Sequence, residues 1–109
     1  MATIKEDFVS FETAKLLKEK NCPDFGYSCI CDSEGNKAQT QSIIMKWLRE
    51  VYMLHIWIGH NNKKGLPWYY EIHNIKTGMV AKIGDVDCGS YETACESAIK
   101  YCLENLIKP

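Results

Sequence analysis

The chain has 109 residues, 46% hydrophobic, 25% charged and 11% aromatic, with 13 basic against 14 acidic side chains. This length and composition describe one globular domain and exclude a two-domain protein or a disordered chain. The net charge of −1 speaks against a general polyanion binder. No apolar run approaches the roughly 20 residues of a membrane span, and the opening MATIKEDFVS has no signal-peptide core, so a soluble, cytoplasmic protein is expected.

The first helix is announced by Ser10 as N-cap and Glu12 in the first turn. Phe11, Ala14 and Leu17 supply its apolar stripe, with Leu16 at the edge and Lys15, Lys18 and Glu19 outside. Pro23 stops it. Phe25 to Cys31 reads as a short strand closed by the turn residues Asp32 to Asn36, and residues 36–39 are open between loop and returning strand. A second helix is expected from about Thr40 to Met53, with Ile44, Trp47, Leu48 and Val51 as its buried face.

The hydrophobic period then changes from 3.6 to 2. In Leu54 to Ile58 the aliphatic residues face one way, while His55 and Trp57 face the other. A polar loop from Gly59 to Pro67 leads to a strand at Trp68 to Ile75, and Lys76-Thr77-Gly78 turns into another at Met79 to Ile83. The last helix, capped by Ser90, runs to about Ile107 with Tyr91, Ala94, Cys95, Ala98, Cys102 and Leu106 inside. Glu96 and Lys100 have the favourable i,i+4 spacing on its outer side. The pattern Ser-aromatic-Glu-Thr-Ala occurs at 10–14 and 90–94, which reads as shared capping chemistry rather than duplication.

The resulting fold class is α+β: a single domain whose antiparallel sheet, a three-stranded meander plus a possible short N-terminal strand or hairpin, packs with three helices. Residues 1–39 form an N-terminal helix and strand extension; residues 40–109 form a helix–strand–strand–strand–helix unit.

That unit resembles the double-stranded-RNA-binding domain in its order and length, and its closing segment from Gly89-Ser90 through Tyr91 to Leu106 is similar to that family's last helix. The resemblance implies duplex-RNA contacts from the loop after the first strand, where Gly59, His60, Lys63 and Lys64 stand. It also implies a lysine cluster opening the last helix, where this chain has Tyr91, Glu92 and Thr93 instead. Over nearly its whole length the chain also resembles a family of short, uncharacterised proteins of gut bacteria and their phages. The residues that carry this are Ser10 to Lys18, Lys46 to Val51 and Tyr91 to Ala94. It implies an intracellular accessory role.

Six cysteines, Cys22, Cys29, Cys31, Cys88, Cys95 and Cys102, read as buried free thiols in a reducing compartment. Cys29 and Cys31 sit on one side of a strand, but the C-x2-C knuckles of a structural zinc site are lacking, so no metal and no cofactor are expected. His55 and His73 lie opposite their strands' aliphatic residues, with Trp57, Tyr69 and Glu71 nearby. No G-x-S-x-G, H-E-x-x-H or Gly-rich phosphate loop accompanies them, which favours a non-enzymatic protein. An aromatic sheet face of this kind is an interface, a stacking platform for bases, or a surface covered by Phe8, Phe11 and Leu17 of the N-terminal extension.

The expected function is therefore binding to another protein or to a second copy, through Trp57, Tyr69, His55 and His73. The alternative is a divergent nucleic-acid-binding module using His60, Lys63 and Lys64. Residues 1–83 carry a charge of +2 and residues 84–109 a charge of −3, and Arg49 is the single arginine, so nucleic acid is the less favoured partner and no membrane is expected.

Overall fold

The structure is a computed structural model and describes residues 7–26, 28–60, 67–84 and 88–107. Helix α1 (Phe11–Glu19) begins where the extended Ser10 accepts the Thr13 amide on its hydroxyl, and it turns Thr13, Ala14 and Leu17 inward. Ser90 caps helix α3 (Tyr91–Tyr101) in the same way, accepting from the Thr93 amide. In both caps the serine hydroxyl also meets the threonine hydroxyl, at 3.0 Å and 2.8 Å.

The N-terminal strand proves to be a hairpin, β1 (Cys29–Cys31) paired antiparallel with β2 (Lys37–Gln39). It starts later than Phe25 because residues 24–26 form a turn. The Gly26 amide donates to Asp24 Oδ1 at 2.9 Å, and Gly26 has φ +76°, which glycine adopts without a Cβ penalty. Lys37 ties that turn to β2 through Asp24 Oδ2 at 2.8 Å. The side chain of Gln39 completes the join, accepting from the Phe25 amide and donating to the Pro23 carbonyl.

Helix α2 (Gln41–Val51) is capped by Thr40 and buries Gln41, Ile44, Trp47 and Leu48. It ends at Val51, two residues earlier than its pattern suggests, and Met53 just beyond is left-handed with φ +57°. Val51, expected inside, is 58% exposed. The last turn runs past the packed stretch, and Tyr52 takes the inner place with its ring edge-on to Trp47 at 5.1 Å.

Strands β3 (Leu54–His60), β4 (Trp68–Asn74) and β5 (Met79–Ile83) form an antiparallel meander in that order. One face carries Leu54, Ile56, Tyr70 and Ile72, all buried. Ile44, Trp47 and Leu48 of α2 and Ala98 and Ile99 of α3 join them in one core cluster. Full burial of a side chain such as Ile72 or Leu48, both 0% exposed, contributes about 1.5–3 kcal/mol.

The last helix is not α-helical throughout. A π-helical turn (Cys102–Leu106) follows α3, closed by the Ile107 amide on the Cys102 carbonyl at 3.0 Å. This turn carries the buried Cys102 and Leu103. Tyr91, expected in the inner stripe, is 45% exposed and stands edge-on to Trp68 at 5.7 Å.

Helix α1 packs against β2, α3 and the π turn. It joins the helical side of the molecule and does not cover the outer face of the meander. The expected Glu96–Lys100 pair gives way to links that hold α1 in this place. Lys100 Nζ meets Glu12 at 2.8 Å, and Lys20 Nζ donates to the Ile107 carbonyl at 3.1 Å. The Glu96 carboxylate accepts from the Ser10 amide, the Ser10 and Thr13 hydroxyls and, at 3.5 Å, the Gln41 amide group. A carboxylate from α3 thus neutralises the positive end of α1 from outside that helix.

Candidate functional site

Alternation along β3 and β4 sends every second side chain away from the core. His55, Trp57 and Gly59 on β3 stand opposite His73, Glu71 and Tyr69 on β4. Four of the six positions are the expected contact residues. The His55 and His73 rings lie 6.5 Å apart, and the Trp57 and Tyr69 rings meet edge-on at 5.7 Å. Tyr69 reaches Trp57 by lying across Gly59, where a Cβ would come within 2.4 Å of the tyrosine ring. Only glycine at this position lets the ring settle on the strand.

Strand β5 extends the face. Its register with β4 shifts between Ile72 and His73, so Val80 stands opposite His73 and Ile83 opposite Glu71. Strict alternation would place residues 80 and 82 on one side. The bulge returns Ile83 to the outer face, and the sequence carried no signal for it. Trp57 is 44% exposed, Val80 47% and Ile83 54%, so three large apolar side chains meet solvent on one open surface. A shallow cavity of about 280 Å³ lies there, lined by His55, Trp57, Glu71 and His73. His73 Nε2 and Glu71 Oε1 are 3.2 Å apart, with side chains 37% and 22% exposed.

The residues of the alternative reading divide. His60 falls on the helix-facing side of β3, with its ring against Trp68 at 4.8 Å, and Lys63 and Lys64 lie outside the described residues. A second cleft of about 320 Å³ opens beside the start of α3, between Asp7, Gln41, Arg49, Tyr91 and Glu92. Its carboxylates oppose a phosphate backbone there. Cys95 also lines this cleft, and burial pushes its thiol up to about 11, which favours the protonated form over the thiolate.

Among the described residues no group of three or more His, Cys, Asp and Glu side chains is arranged to hold a metal ion, the Cys29–Cys31 pair included. Among the described residues no disulfide joins any of the six cysteines. No described helix is long and apolar enough to cross a membrane. Comparison with family models, with curated proteins and with solved structures finds no match to this chain.

Proposed function

We propose that this protein is a small non-enzymatic binding domain that acts through contact with another protein or with a second copy of itself. The contact surface is the open sheet face of Trp57, Tyr69, His55 and His73. The observation that carries this reading is that Trp57 on β3 and Val80 and Ile83 on β5 stand exposed on either side of β4, on a face that α1 leaves free. Large exposed apolar side chains gathered on one face with polar neighbours between them suit an interface, and aromatic residues are enriched at interface centres. The residues lining the cavity include no hydroxyl or thiol nucleophile, which supports binding over catalysis. Free thiols suit a reducing, cytoplasmic setting.

The test is Trp57→Ala. Sedimentation over a concentration series and affinity capture are expected to show association by the native chain and its loss in the variant, with the thermal midpoint nearly unchanged. A native chain that stays monomeric and captures nothing the variant fails to capture would sink the reading.

The second reading, a divergent nucleic-acid-binding module, is favoured by one observation. His60 and Trp68 meet edge-on at the end of the sheet next in sequence to the segment holding Lys63 and Lys64. Binding of that kind must fall steeply with added salt, which a fluorescence-anisotropy titration with duplex RNA at two salt concentrations reads directly.

A further inference from the structure

We infer that the open face receives a basic side chain of a partner protein, a guanidinium or ammonium group seated between the Trp57 ring and the Glu71 carboxylate. The inference rests on the interface reading above and specifies the chemistry of what docks there. Trp57 and Glu71 stand directly opposite in the β3–β4 register, so their Cβ atoms are about 5 Å apart. Both line the same shallow cavity. A cation between them meets the negative face of an indole and a carboxylate at once, which is the arrangement that holds arginine best.

Glu71 is the only carboxylate among the described residues of this face. Its Oε1 is engaged by His73, while among the described residues its Oε2 has no hydrogen-bond partner. At 22% side-chain exposure that oxygen belongs to a group already partly withdrawn from water. An apolar partner would cover it without replacing its hydration, and an acidic partner would oppose it. A basic partner satisfies it. Trp57, together with Val80 and Ile83, supplies the apolar walls along which the methylene stem of an arginine or lysine lies.

The experiment is a nuclear magnetic resonance titration of the full chain with Nα-acetyl-argininamide, and in parallel with its neutral citrulline analogue. The reporters are the Trp57 indole N–H and the Gly59 amide. Saturable shifts with the arginine compound are expected. They should weaken about tenfold with the citrulline compound and about tenfold in Glu71→Gln, the loss typical of a charge-assisted hydrogen bond. Equal responses to arginine and citrulline, or an unchanged affinity in Glu71→Gln, would overturn the inference. The citrulline comparison uses the native chain alone, so it decides the matter even where the variant folds poorly. If arginine does not bind while Trp57→Ala still abolishes association, the basic-group inference falls and the interface reading stands.

Discussion

Cys95 and Cys102 illustrate how the residue environment decides chemistry that the residue type leaves open. They are 1% and 0% exposed, and burial pushes their thiols up to about 11 and about 12. Cys22 is likewise pushed up to about 12 by burial. Thiol reactivity follows the thiolate fraction and access to it, so these three should resist an aromatic disulfide reagent at neutral pH, while the exposed Cys31 reacts first. Site-resolved labelling by mass spectrometry checks this: Cys95 and Cys102 are expected to label only once the chain is unfolded. Equal native labelling of Cys31 and Cys102 would show that the last helix opens. The spacing of Cys95 and Cys102 around Ala98 and Ile99 made their burial legible in advance, because seven residues return a helix to the same face. The environment of Cys22 was not legible, since it depends on where α1 docks.

At the scale of elements, the caps and periods were readable and the junctions were not. Ser10, Thr40 and Ser90 each accept the amide three residues on, as their types and positions imply. The change of period at Leu54 marks β3, and His55, Trp57, Tyr69 and His73 share a face because alternation is a local property. Glu96 is different. Its neighbour in sequence is Lys100, but its partners are Ser10, Thr13 and Gln41 on two other helices, and no local rule reaches across 86 positions. The bulge in β5, the exposure of Val51 and the π turn after Tyr101 share this origin: each is set by what packs alongside. Glu96→Ala removes the acceptor for the buried Thr13 hydroxyl and leaves the amide and hydroxyl of Ser10 without their α3 partner. A loss of about 2–3 kcal/mol in urea unfolding is expected, with the outer sheet face unperturbed. A loss below about 0.5 kcal/mol would mean that water replaces the carboxylate at no cost.

For the whole molecule, the two sides of the meander differ: one carries the core, the other is left uncovered by α1. On sequence alone, Phe8, Phe11 and Leu17 are one candidate cover for that outer face, but α1 packs on the helical side, a placement that no local pattern specifies. Ion pairs help to hold it there, and they set a pH response. Lys100 beside Glu12 and Lys37 beside Asp24 hold both carboxyls below their ordinary values of 4.5 and 3.8. A lowered folded-state value means stability that is present above the ordinary value and lost as pH falls through the folded one. Acidification below about pH 4 is therefore expected to loosen α1 and the 24–26 turn, read as rising amide exchange there before the meander yields. Simultaneous exchange throughout the molecule would contradict it.

The fastening of α1 also orders events during synthesis. Ser10 waits for Glu96, Glu12 for Lys100 and Lys20 for Ile107, so each tie spans 86 to 88 residues of nascent chain. While a ribosome makes the rest, α1 has emerged with β2 as its early packing partner, and the residues that tie it to α3 and the π turn are not yet translated. The meander, whose strands are near neighbours in sequence, pairs through local contacts before α3, to which α1 is tied, has been made.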